Sequence, residues 1–126
     1  MKRSEIFIRF AEAVCLACEV HFPNLLNGNK FQPVVDARTI LIHELKKFGF
    51  SNHDIAVVSL RITHGNMHYD PHYIPDECQL KSKSKNIERQ NRMYADQFDT
   101  NDLFRILAKN VSKEVEKIAD EIRLET

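Results

Sequence analysis

The stretch Gly49-Phe50-Ser51-Asn52-His53-Asp54-Ile55-Ala56 decides the fold. Before it, Pro33 suits the first turn of a helix that carries Val34, Ala37, Ile40, Leu41, Leu45 and Phe48 inward, and Gly49 is placed to stop that helix. After the glycine, Ser51 with Asp54 three residues on forms a capping box with the shorter acid, followed by the apolar run Ile55 to Val58. Two helices are therefore expected, joined by Gly49 and Phe50 alone.

The same periodicity extends outward in both directions. Residues 4–21 place Ile6, Phe10, Ala13, Val14, Ala17 and Cys18 at three- and four-residue steps, with Ser4 as the expected N-cap. Pro23 and the Asn24 to Asn29 stretch end that helix, Asn27-Gly28-Asn29 is a turn signal, and Phe31 is expected to anchor the loop to the core. Downstream of Leu60-Arg61-Ile62, Thr63 is placed to cap a short helix through His64, Met67 and His68 that stops at Pro71. Helix, tight turn and helix over about 51–70 predict a helix-turn-helix.

Residues 72–80 read as a loop, and a polar helix is expected from about 77 or 82 to 95. A final helix over about 100–123, capped by Asp99, Thr100 or Asp102, carries Phe104, Ala108, Val111, Val115, Ile118 and Ile122 in a heptad-like seam. The expected fold is all-α: a single helical domain, 1–126, of five to six helices.

Composition agrees with one ordinary domain. The chain has 126 residues, 43% hydrophobic and 29% charged, which excludes wholesale disorder and a membrane protein. Three glycines, four prolines and no tryptophan favour helices over an all-β fold. Eighteen basic and eighteen acidic groups cancel, so bulk charge does not drive the chain to nucleic acid. The charges are not evenly spread: residues 61–95 hold six basic and four acidic groups, and residues 96–126 hold five and eight. A mildly basic middle is balanced by an acidic C-terminal helix.

Cys15, Cys18 and Cys78 are odd in number with no secretory leader before them, so no disulfide framework is expected and the chain reads as cytoplasmic. Cys15-Leu-Ala-Cys18 has CxxC spacing but lies in an apolar helical run, where a core role is expected. His64, His68 and His72 follow one another at four-residue steps, yet Pro71 breaks the helix before the third and no HExxH pattern occurs; no metal and no cofactor are expected. No phosphate loop, dinucleotide fingerprint or partnered nucleophile is present, so the chain is not read as an enzyme.

The residues Ala37-Arg38, Gly49 to Ala56 and the His64 that follows without a gap resemble the C-terminal duplex-binding helix-turn-helix domain of the bacterial replication initiator DnaA. Small helix-turn-helix proteins of phages and mobile elements share that motif. The family pattern is an Ala-Arg pair, then Gly-x-Ser-x-x-[Glu/Asp]-Ile-[Gly/Ala], then Asp-His-[Ser/Ala/Thr]-Thr-Val. The resemblance covers about 35–70, and the last motif stands here as Thr63-His64-Gly65-Asn66-Met67. It implies binding of double-stranded DNA by a small regulatory or replication accessory factor encoded by a phage or mobile element.

A helix opening at Thr63 would present its N-terminal amides, His64 and Asn66 to a groove, with His68 one turn on. Arg61 just before it and Arg38 on the preceding helix are expected to hold phosphates. Lys81, Lys85, Arg89 and Arg92 step by four, four and three, and on a helix would share one face able to follow a nucleic-acid backbone. The alternative is a helical protein-interaction module that keeps the helix-turn-helix as scaffold. Its acidic C-terminal helix would pair with a second copy or another protein through the apolar seam.

Overall fold

Six helices follow one another in the computed structural model, which describes residues 1–125. They are α1 (Arg3–Cys18), α2 (Phe22–Leu26), α3 (Gln32–Phe48), α4 (Asn52–His64), α5 (Glu77–Thr100) and α6 (Asp102–Leu124). No strand occurs among the described residues, and the chain is one all-α domain. None of its described helices is long and apolar enough to cross a membrane.

Helix α3 is the centre of the fold. Its Ile40, Leu41 and Leu45 are buried, with α1 packed on one side, α5 on another, and α6 bridging the two. From α1 come Phe7, Phe10 and Val14, and from α6 come Phe104, Ala108, Val111, Val115, Ala119 and Ile122. The heptad-like seam of α6 is thus spent inside the chain against α1, α3 and α5, and it does not stand free for a second copy.

The expected α3–α4 junction forms. Gly49 ends α3 with φ 126°, a left-handed value that favours glycine, and its N–H donates to the carbonyls of Leu45 and Lys46. Ser51 Oγ accepts from Asp54 N at 3.0 Å while Asp54 Oδ2 accepts from Ser51 N at 3.0 Å. Both halves of the capping box are made.

Several local expectations are corrected. Helix α1 starts at Arg3 with Lys2 as an N-cap that makes no side-chain bond, so Ser4 is inside it. Residues 22–26 form the extra helix α2, with Pro23 in its first turn, because Leu25 and Leu26 are drawn into the core. Phe31 is 68% exposed and anchors nothing. Asp76 and Gln79 form a second capping box that fixes the start of α5 at Glu77, and α5 continues five residues past the expected end. Asn101 both ends α5 and caps α6, its side chain accepting from Phe104 N at 3.1 Å.

The largest correction falls on the expected helix-turn-helix. No helix opens at Thr63: α4 runs on to His64, and residues 65–76 contain no helix. Asn66 and Met67 have φ of 53° and 73°, and two successive left-handed residues cannot sit in a right-handed helix. Met67 N donates instead to Ile62 O at 2.9 Å, closing the α4 end, and its side chain packs on the core.

Candidate nucleic-acid interface

The ten residues expected to contact DNA divide into three groups. The first is turned inward. Arg38 lies on the same stripe of α3 as Val34, Leu41 and Leu45, which places its guanidinium under the connection that follows α2. Nε donates to Leu25 O at 2.7 Å, and Nη2 donates to Asn24 O at 3.2 Å and Asn29 O at 3.0 Å. Burial holds its pKa below the ordinary arginine value. Arg38 therefore serves as the clasp of the 24–29 segment, with Nη1 alone left uncommitted, and does not offer the open guanidinium expected of a phosphate contact.

Arg61 has a similar fate. Nε donates to Tyr73 O at 2.9 Å and Nη1 to the Tyr69 hydroxyl at 3.1 Å, pinning the 65–76 connection to α4. Thr63 is not a cap: its Oγ1 reaches back to the carbonyls of Ser59 and Leu60, each at 3.1 Å.

The second group sits in the connection itself. His64 lies flat on Tyr73, ring centroids 3.7 Å apart and planes within 4°, with Nδ1 3.3 Å from Asp70 Oδ2. Asp70 Oδ1 also accepts from His72 N at 3.0 Å, and that backbone bond is the main reason its carboxyl is held below the usual range. Asn66 and His68 are exposed, but they project from a turn and not from the first turn of a helix.

The third group is the one that comes together. Lys81, Lys85, Arg89 and Arg92 are all exposed on α5 and form one basic ridge about 16 Å long at 1.5 Å rise per residue. Arg92 is paired with Glu88 at 3.2 Å, whereas Lys81, Lys85 and Arg89 make no hydrogen bond or ion pair among the described residues. The ridge passes the N-terminal end of α4, where exposed His53 stands beside Lys81 and Lys85 in a shallow groove that also holds Glu77 and Glu88. The ridge and the His64 to His68 turn lie at opposite ends of α4.

His53 is the neighbour that sequence reasoning missed. Its position directly after the Ser51-Asn52 helix start was the available signal.

Two other titratable groups complete the picture. Burial pushes the Cys15 thiol up to about 11 and the Cys18 thiol up to about 12, so both stay protonated near neutrality, as core residues do. Among the described residues no three His, Cys, Asp or Glu side chains converge on a point that could hold a metal ion. No family model, curated protein or solved structure matches the chain.

Proposed function

We propose that the chain binds double-stranded DNA through phosphate contacts along α5, as a small non-enzymatic accessory factor. The observation that carries this reading is the α5 ridge, where three unpartnered cations share one face of a continuous helix. Phosphate contacts of this kind give affinity without sequence information. Any base preference has to come from the exposed Asn66 and His68 or from His53 beside the ridge.

The test is fluorescence anisotropy of short labelled duplexes at low salt. Binding that varies little among duplex sequences is expected, and a Lys85→Gln, Arg89→Gln double variant should weaken it by about tenfold or more. Arg61→Gln should not lower affinity in a form that remains folded. Absence of binding at about 50 mM salt, or a double variant that binds like the parent, overturns the reading.

A second reading, a helical protein-interaction module, is favoured by one feature of α6. Leu103 and Ile106 are 80% and 58% exposed near its start, although the seam from Phe104 to Ile122 is packed inside the chain. Leu103→Ser with Ile106→Ser should leave the fold intact and abolish any self-association seen by light scattering. Unchanged association excludes this patch.

A further inference from the structure

A cavity of about 390 Å³ opens between α3, α5 and the connection that follows α2. Its floor is apolar, with Phe7, Leu41, Leu45 and Ile87 almost wholly buried. Every charged residue of its lining is a cation: Lys30, Arg38, Lys83 and Arg89, without one Asp or Glu.

Lys83 is the informative member. It stands three residues after Leu80 and four before Ile87, on the seam that α5 turns to the core, so it faces away from the Lys81 to Arg92 ridge. The side chain is half-buried and makes no hydrogen bond or ion pair among the described residues. Burial first, and then the neighbouring Arg38 charge, hold its pKa below the ordinary lysine value. Arg38 is held rigid by its three carbonyl acceptors, and its Nη1 remains uncommitted.

Two cations held beside each other over an apolar floor, with no counter-charge, are disfavoured until an anion joins them. We propose that this cavity binds a small organic anion with an apolar body, its carboxylate seated between Lys83 and Arg38. One ammonium and one free guanidinium nitrogen offer a donor to each carboxylate oxygen. Ligand pockets run from roughly 300 to 1,000 Å³, so the cavity suits a medium-length acyl or aryl acid and not a polymer. Lys83 has no part in the DNA reading, and the two can fail separately.

Isothermal titration calorimetry of the whole chain with octanoate, 1-octanol and inorganic phosphate tests the site. One octanoate per chain is expected, with octanol and phosphate each binding more weakly. Lys83→Gln should weaken octanoate by about tenfold or more, the scale of a lost charge-assisted contact, and Lys81→Gln should leave it unchanged. The proposal is overturned if octanoate does not bind, if octanol or phosphate binds as tightly, or if Lys83→Gln binds octanoate like the parent. Comparing octanoate with octanol needs only the parent chain, so it decides the matter even where the variant fails to fold.

Discussion

The carbonyl oxygen of His68 occupies the space where a Cβ on Gly65 would stand. His68 N also donates to Gly65 O at 3.0 Å, so the two residues close a tight turn immediately after α4. Gly65 has an ordinary φ of −80°, and its requirement is for space and not for conformational freedom. Gly65→Ala should therefore lower stability by about 1–3 kcal/mol, the usual cost of forcing atoms into a packed site. Urea unfolding checks this, and an unchanged midpoint would show that the turn opens without cost.

Arg38 and Arg61 are expected to matter for folding and not for DNA. Arg38→Met strips three carbonyls of a charged donor and should cost about 2–4 kcal/mol, while Arg61→Gln, which loses one carbonyl and one hydroxyl partner, should cost about 1–2 kcal/mol. Thermal unfolding ranks the two. A stable Arg38→Met variant with reduced DNA affinity would return Arg38 to the interface.

Glu44 makes stability depend on pH in an unusual direction. Its side chain is 1% exposed, and Oε2 has no hydrogen bond although Lys47 Nζ is 3.3 Å away. Burial holds its carboxyl above the ordinary 4.5, and the half-exposed Lys47 opposes this only in part. The folded chain thus keeps the Glu44 proton where the unfolded chain has lost it. Stability from this group falls as pH rises from 4.5 through the folded-state value, and Glu44 opposes folding at neutral pH. Glu44→Gln should melt higher than the parent at pH 7, the gap closing as the pH is lowered to 4.5. A gap that is absent at pH 7, or that widens in acid, contradicts the burial argument.

The ridge predicts a specific salt dependence. With three unpartnered cations engaged, the logarithm of DNA affinity should fall with the logarithm of salt at a slope of about −3, and Lys85→Gln should make it shallower by about 0.9. Anisotropy titrations across several salt concentrations give both slopes. A parent slope near zero would mean that phosphates are not the contact.

Ile87 is the one residue of α5 that is buried, so it fastens the ridge to the core. Ile87→Ala should cost about 2–4 kcal/mol, read by urea unfolding, and should weaken octanoate binding, because the same side chain floors the cavity.

Helix class, the α3–α4 junction and the shared face of Lys81 to Arg92 were determined by the sequence alone, because each rests on contacts within a few residues. Ser51 and Asp54 meet across one turn, Gly49 stops a helix by its own φ, and four- and three-residue steps set a helical face wherever the helix lies. The seam of α6 was equally legible as apolar, but its partner was not, since only tertiary packing shows it covered by α1, α3 and α5. Arg38 shows the same limit: the sequence led to a phosphate contact, because the carbonyls it serves lie nine to fourteen residues away in the chain and only the fold brings them together.

The fate of Thr63 and His64 was decided by tertiary structure. A capping threonine and a back-bonding threonine look alike in sequence, and the choice fell to Met67 packing on the core, Arg61 donating to the Tyr73 carbonyl, and His64 stacking on the Tyr73 ring. The pairing of Lys83 with Arg38 over an apolar floor is likewise a product of packing, because it joins two helices that no local pattern relates.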